Sequence, residues 1–139
     1  MLNGDSYLGT AYAPLFAVLQ AKQAAAALAL HRVDEAGRYG SVALAPDGRV
    51  TSFVEKSAVH VGHRNLINGG VYALRRAVIS GISAGEPQSL ERDVLPSLAS
   101  AGVLYGVELE GAFIDIGVPD DYRRLERDWR VLFGSEVAE

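Results

Sequence analysis

The sequence predicts an α/β domain whose mixed or mostly parallel sheet is flanked by helices. Three observations carry that expectation. Apolar stretches of strand length alternate with stretches of helical period along the chain. Ala24-Ala25-Ala26-Ala27-Leu28-Ala29-Leu30 is an unbroken apolar run, which suits a strand buried on both faces. Phe113-Ile114-Asp115-Ile116-Gly117-Val118-Pro119-Asp120-Asp121-Tyr122 reads as a short strand, a carboxylate, a glycine turn and the first turn of a helix. In that stretch Phe113, Ile114 and Ile116 suit a sheet interior. Gly117 allows a sharp turn, Pro119 has the φ of a first helical position, and Asp120 and Asp121 complement the positive end of the helix dipole.

Composition narrows the function classes. The chain has 139 residues, enough for one domain or one part of a domain, over residues 1–139. Its 49% hydrophobic and 22% charged content is that of a globular protein. A net charge of −4 gives no general attraction to nucleic acid or to an anionic membrane, so neither is expected as a partner. The absence of cysteine excludes disulfides and thiolate metal sites, and agrees with an expected cytoplasmic setting. No signal peptide and no bilayer-length apolar run is present.

In order along the chain, Leu2 reads as the end of a buried strand and Asn3-Gly4-Asp5 as the turn that follows. Pro14–Gln23 has helical spacing, with Leu15, Val18 and Leu19 on one face. Alanine leaves the next run ambiguous between helix and strand, and the expected strand spans Ala26–Val33. Ser41–Leu44 and Val50–Glu55, joined across Pro46-Asp47-Gly48, predict a hairpin. Leu66–Leu74 reads as a strand interrupted by Asn68-Gly69-Gly70, a step that marks a bulge or a close approach of ligand to backbone. Arg76–Ile82 reads as a short helix, and Ser89 as the cap of another that runs to Ala99. Val103–Leu109 and Phe113–Ile116 read as strands. Pro119–Leu132 is the last helix, with Tyr122, Leu125, Trp129 and Leu132 as its apolar stripe.

Two residues invite a chemical reading. Asp115 is a carboxylate among apolar neighbours at a strand end, where it either hydrogen-bonds the following turn or ligates a hard cation such as Mg²⁺. The second role needs another carboxylate from elsewhere in the chain. Asn68 either satisfies its own bulge or contacts a ligand. Glu55-Lys56 is, on its own, an exposed charge pair of small energetic weight. His60 and His63 have chelating spacing but lack a third ligand nearby, so no metal is expected there. Gly81-Ile82-Ser83-Ala84-Gly85 matches a hydrolase nucleophile elbow only by chance, since a helix leads into it and every histidine precedes it.

Asn3-Gly4-Asp5, Tyr39-Gly40, Val54-Glu55-Lys56, Asn68-Gly69-Gly70-Val71-Tyr72, Ser89-Leu90-Glu91 and Phe113-Ile114-Asp115-Ile116-Gly117 occur in this order. Together they resemble the sugar-phosphate nucleotidyltransferases, in particular the heptose-1-phosphate and mannose-1-phosphate guanylyltransferases, over residues 3–122. The resemblance implies a doubly wound α/β domain that joins a sugar 1-phosphate to a nucleoside triphosphate, GTP in this branch, and releases pyrophosphate. It implies that Asp5 and Asp115 hold Mg²⁺ against the phosphates. It also implies that Gly40, Glu55, Asn68 and Gly69 line the sugar pocket, with Lys56 near the sugar's phosphate.

The chain departs from that pattern in one large respect. The family's glycine-rich loop, with its arginine and the catalytic lysine beyond it, has no counterpart here, so the resemblance covers only the second half of the family domain. The expected fold is therefore a partial doubly wound mixed sheet without the nucleotide-binding half. The expected function is nucleotidyl transfer, with this chain inactive alone; the alternative is a noncatalytic half that binds a sugar phosphate or docks on a partner. Apolar surface beside Leu2 favours self-association, or pairing with a chain that carries the missing half.

Overall fold

The computed structural model describes residues 1–33, 39, 41–54, 65–83 and 85–133. The strands are β1 (Ser6–Gly9), β2 (Ala26–Val33), β3 (Ser41–Leu44), β4 (Val50–Val54), β5 (Asn65–Leu74), β6 (Leu104–Glu108) and β7 (Ala112–Asp115). The helices are α1 (Ala13–Ala21), α2 (Arg76–Ser80), α3 (Leu95–Ser100) and α4 (Pro119–Phe133), with a π-helical turn, Leu90–Val94, leading into α3.

A five-stranded sheet in the order β4-β3-β5-β2-β6 forms the centre. β2 settles the alanine ambiguity in favour of a strand. Its alternate residues feed two cores: Ala27 and Ala29 pack with Leu15 and Leu19 of α1, while Ala26, Leu28 and Leu30 pack with Leu95 of α3. Small side chains on the α1 face let that helix approach the sheet closely. A continuous apolar run is what burial on both faces demands.

The expected strands over 26–33, 66–74 and 103–109 do share one sheet, and the hairpin of β3 and β4 forms as read. The sheet is mixed but not mostly parallel: β2 and β6 run parallel, and the other pairings are antiparallel. The reason is local, since hairpin β3–β4 and the long strand β5 return beside their neighbours without helical crossovers. The hairpin turn also reaches the far edge, where Gly106 donates to the carbonyl of Gly48 at 2.9 Å and Arg49 bridges Tyr105. The sheet thereby curls over the α3 core.

Three readings need correction. Leu2 is not the end of a buried strand: its side chain is 61% exposed, and it forms a single bridge to Val71. The segment after Asp5 is a strand, β1, paired antiparallel with β7 in a separate ribbon with Ser6 opposite Asp115. The stripe on α4 is largely uncovered, with Tyr122 50% and Trp129 36% exposed, while Asp121 is the buried residue of its first turn.

Arg75 ties the end of β5 to α1. Its Nε donates to the carbonyl of Ala24 at 2.6 Å and its Nη2 to that of Leu19 at 2.8 Å. The Leu19 carbonyl lies in the last turn of α1, where a cation satisfies an acceptor that the helix itself cannot, and the Ala24 carbonyl lies in the link from α1 to β2. Arg75→Ala is expected to cost about 1.5 kcal/mol in chemical denaturation, and Arg75→Lys to recover only part, because an ammonium lacks the planar fork.

Gly111 begins the ribbon's return strand at φ +152°, and a Cβ there would stand 2.3 Å from the carbonyl oxygen of Gly9. Neither strain nor clash has a flexible side chain to absorb it. Gly111→Ala is expected to cost about 3 kcal/mol, lowering the melting temperature by roughly 10 °C. Gly85, at φ +97° with nothing within 4 Å of its Cβ position, is the control; Gly85→Ala should cost only the strain.

Candidate functional site

The β1–β7 ribbon places two carboxylates at one end. Ser6 opposes Asp115 in the register, so Asp5 lies immediately beyond that pair, and the amide of Ile116 donates to the carbonyl of Asp5 at 2.8 Å. Residues separated by most of the chain thus become neighbours. Gly117 lies between their side chains: a Cβ built there would be 3.0 Å from Oδ1 of Asp115 and 3.9 Å from Oδ2 of Asp5. Both oxygens therefore border one small space that a larger residue would begin to fill.

Both local roles read for Asp115 are compatible with this geometry. Its Oδ1 accepts from the amide of Gly117 at 2.8 Å, the turn-closing bond. An ionised carboxylate has about four acceptor positions, so that bond does not exhaust it. Ser6 donates its hydroxyl to Oδ1 of Asp5 at 3.3 Å. Two hard oxygen donors facing a glycine-lined space fit Mg²⁺, which takes few protein carboxylates and fills its other positions with water and phosphate oxygen. No group of three or more metal-ligating side chains occurs among the described residues, so any such ion would need those outside oxygens.

Beside the pair, Asn3, Gly4, Asp5, Ser89, Leu90 and Glu91 line an open cleft of about 380 Å³. The bulge of β5 lies behind Asn3 and Glu91 of this lining, hydrogen-bonded to both. Between the pairings Leu28–Tyr72 and Leu30–Asn68 the register shifts, so Gly69 and Gly70 bulge out of the ladder. Gly70 adopts φ +73°, and a Cβ there would be 3.0 Å from Ser6 Oγ and 3.2 Å from Asn3 Cβ. Glycine at this position lets the segment before β1 lie against the bulge, where the main-chain amide of Asn3 donates to the carbonyl of Gly70 at 2.8 Å. Gly69 is buried, packed so closely that a Cβ there would stand 3.1 Å from Leu8 Cδ2 and 3.2 Å from the carbonyl oxygen of Ala29.

Asn68 serves its own bulge, accepting from the amide of Gly70 at 3.1 Å through Oδ1. That bond orients the side-chain amide so that its Nδ2 donates to Tyr72 Oη at 2.8 Å and to Glu91 Oε1 at 3.2 Å. The same Glu91 oxygen accepts from Tyr72 Oη at 2.8 Å and from Asn3 Nδ2 at 3.2 Å. Burial, foremost, and the carboxylate it donates to hold the Tyr72 hydroxyl well above the ordinary tyrosine range, so it stays a neutral donor.

The structure thus brings Asp5 and Asp115 to either side of Gly117, and ties Asn68 through Glu91 to Asn3 in the turn that carries Asp5. Gly40, Glu55 and Lys56 lie outside the described residues, as do His60 and His63. Tyr39, just before Gly40, packs edge-on against Phe113 at 5.8 Å, and His31 stacks on the same ring at 5.2 Å. The position next to Gly40 therefore sits by the strand that ends in Asp115. Glu91 and Tyr72 belong to two of the family-like motifs, yet the sequence assigns neither a role. Glu91 is separated from Asn3 by 88 residues, so no local pattern announces their contact.

Known proteins resemble this chain over most of its length. The chain is 35% identical over 128 residues to D-glycero-alpha-D-manno-heptose 1-phosphate guanylyltransferase of Aneurinibacillus thermoaerophilus, covering 92% of this chain and 54% of that protein. It is 32% identical over 123 residues to the mannose-1-phosphate guanylyltransferase catalytic subunit beta of Dictyostelium discoideum, covering 88% of this chain and 33% of that protein. The crystal structure of HddC from Yersinia pseudotuberculosis superposes with a TM-score of 0.73 at 31% identity, over 92% of this chain and 53% of that one. A second HddC structure, complexed with GMP-PN, gives the same score. The chain spans between a third and about half the length of these proteins. The nucleotidyl transferase family description matches residues 1–130, which include both carboxylates, the β5 bulge and the Glu91 network, and the chain belongs to that family.

Proposed function

We propose that these residues form the sugar-phosphate and metal side of a nucleotidyltransferase that joins a mannose- or heptose-type sugar 1-phosphate to GTP, releasing pyrophosphate. The observation that supports this reading is that Asp5 and Asp115, 110 residues apart in the chain, each place a carboxylate oxygen within 4 Å of the Cβ position of Gly117. The relatives are guanylyltransferases of mannose 1-phosphate and of a heptose 1-phosphate, which supports both the guanylyl type and the sugar class. The complex of HddC with GMP-PN supports a guanine nucleotide as the second substrate. A cytoplasmic setting belongs to this reading; no helix among the described residues is long and apolar enough to cross a membrane.

In this reading Asp5 and Asp115 would hold Mg²⁺, which when bound neutralises phosphate oxygens and aligns the attacking phosphate. The polypeptide supplies positioning. The second lone pair of Asn68 Oδ1 is what its side-chain amide can still offer a ligand, and by the resemblance Gly69 belongs to the same sugar-side step. By the resemblance, Gly40 and Glu55 face the sugar and Lys56 its phosphate. Transfer also needs a cradle for the triphosphate, and the sequence holds no glycine-rich loop to supply one. In this reading residues 1–139 carry the sugar-phosphate and metal side of the site, and by themselves bind without transferring.

Isothermal titration with mannose 1-phosphate and heptose 1-phosphate tests the reading. One of the two should bind in the presence of Mg²⁺ and be released by EDTA. Heat from neither sugar phosphate would contradict it.

A further inference from the structure

We infer that Glu91 is a positioning residue that holds the metal-side turn and the sugar-side bulge in one arrangement; the inference rests on the reading of Asp5 and Asp115 given above. The observation is a convergence of three donors, from the turn before β1 and from two positions of β5, on one oxygen. Glu91 Oε1 accepts from Asn3, two residues before Asp5, from Asn68 on the bulge, and from Tyr72, whose ring is buried in the α3 core.

The chemistry of the acceptor sets the chemistry of the donors. A carboxylate only accepts, so both asparagine amides must turn their NH₂ groups toward it. For Asn68 the opposite corner is independently held, because its Oδ1 accepts from Gly70. For Asn3, the main-chain bond to Gly70 fixes one side of the residue and Glu91 fixes the other. Beyond Gly4, Asp5 has its own main-chain tie, its carbonyl accepting from the amide of Ile116 at 2.8 Å. Glu91 adds a side-chain tie between this turn and the bulge, and so helps set where the Asp5 side chain stands relative to Asp115.

Glu91 is itself aimed by its helix. The turn is π-helical, with the amide of Val94 reaching back to the carbonyl of Ser89 at 3.3 Å. Ser89 Oγ accepts from the amide of Arg92 at 3.2 Å, and Asp93 Oδ2 from the amide of Ser89 at 2.7 Å. Reciprocal caps of this kind hold the first turn against fraying, and such wide turns recur at functional sites.

Outer residues that orient metal ligands typically change affinity by 10–100-fold. Mn²⁺ is the probe, followed by electron paramagnetic resonance on the full chain, with thermal unfolding in parallel. Glu91→Ala should weaken Mn²⁺ binding about tenfold, and Glu91→Gln, which keeps an acceptor of the same shape, should restore most of it. Tyr72→Phe removes a donor without touching Asn3, and should lower the melting temperature with Mn²⁺ affinity within about twofold of wild type, a split that a purely structural role would not produce. Equal Mn²⁺ affinity in wild type and Glu91→Ala would overturn the inference and leave the metal pair standing. Failure of the wild-type chain itself to take up Mn²⁺ would overturn both.

Discussion

Asp115→Asn and Asp5→Asn are each expected to reduce divalent-cation binding by more than about 100-fold, the upper end of what even indirect ligand partners cost. Asparagine keeps the shape of aspartate and one carbonyl oxygen, so it can still accept from Gly117 as Oδ1 of Asp115 does at 2.8 Å. It removes the charge on which a hard cation depends. The fold should survive both changes. Asparagine keeps the acceptor oxygen that each aspartate uses here, so neither substitution is expected to lower the melting temperature of the metal-free chain. Isothermal titration with Mg²⁺ together with a melting curve checks both halves of this expectation. A large fall in stability with unchanged binding would mean that the aspartates only close their turns.

The second large effect is catalytic. The 139-residue polypeptide, supplied with GTP, Mg²⁺ and mannose 1-phosphate or heptose 1-phosphate, is expected to release no pyrophosphate above the uncatalysed background. Holding reactants in line accounts for roughly 7–11 kcal/mol of barrier reduction in well-positioned systems, and fixed positive groups around developing charge add several more. In the proposed reading Asp5, Asp115 and Asn68 position one substrate, and residues 1–139 hold no match to the family's triphosphate loop. Met1 is 59% and Leu2 61% exposed, beside the stretch of β5 that lies beyond its pairing with β3. Such a surface suits pairing with another chain. Sedimentation of the purified chain should accordingly give a mass above that of one 14.8 kDa protomer. Substantial pyrophosphate release by a monomer would restore an ordinary complete enzyme.

Much of the fold was legible because its signals are local. The hairpin turn at Pro46-Asp47-Gly48, the helical spacing of Leu15 and Leu19, and the apolar run of β2 each specify an element without reference to anything distant. β1 was not legible: Ser6-Tyr7-Leu8-Gly9 is a short strand whose partner, β7, begins only at Ala112. The direction of β5 was likewise a matter of pairing, which the sequence of one strand does not encode. In α4 the stripe was read correctly as helical, but periodicity does not say what covers it. At the site, both aspartates stood out as carboxylates beside glycine turns. Glu91 did not, because a glutamate in the first turn of a helix is already accounted for by the helix dipole.

The most direct test is to locate a bound cation by paramagnetic broadening. Mn²⁺ added in trace amounts to the ¹⁵N-labelled chain should selectively erase the amide signals of Asp5, Ser6, Ile116 and Gly117, from the two strands that meet at one end of the β1–β7 ribbon, and Mg²⁺ in excess should restore them. Broadening confined to the acidic first turn of α4, or spread over the surface without preference for these four amides, would contradict a metal held between Asp5 and Asp115.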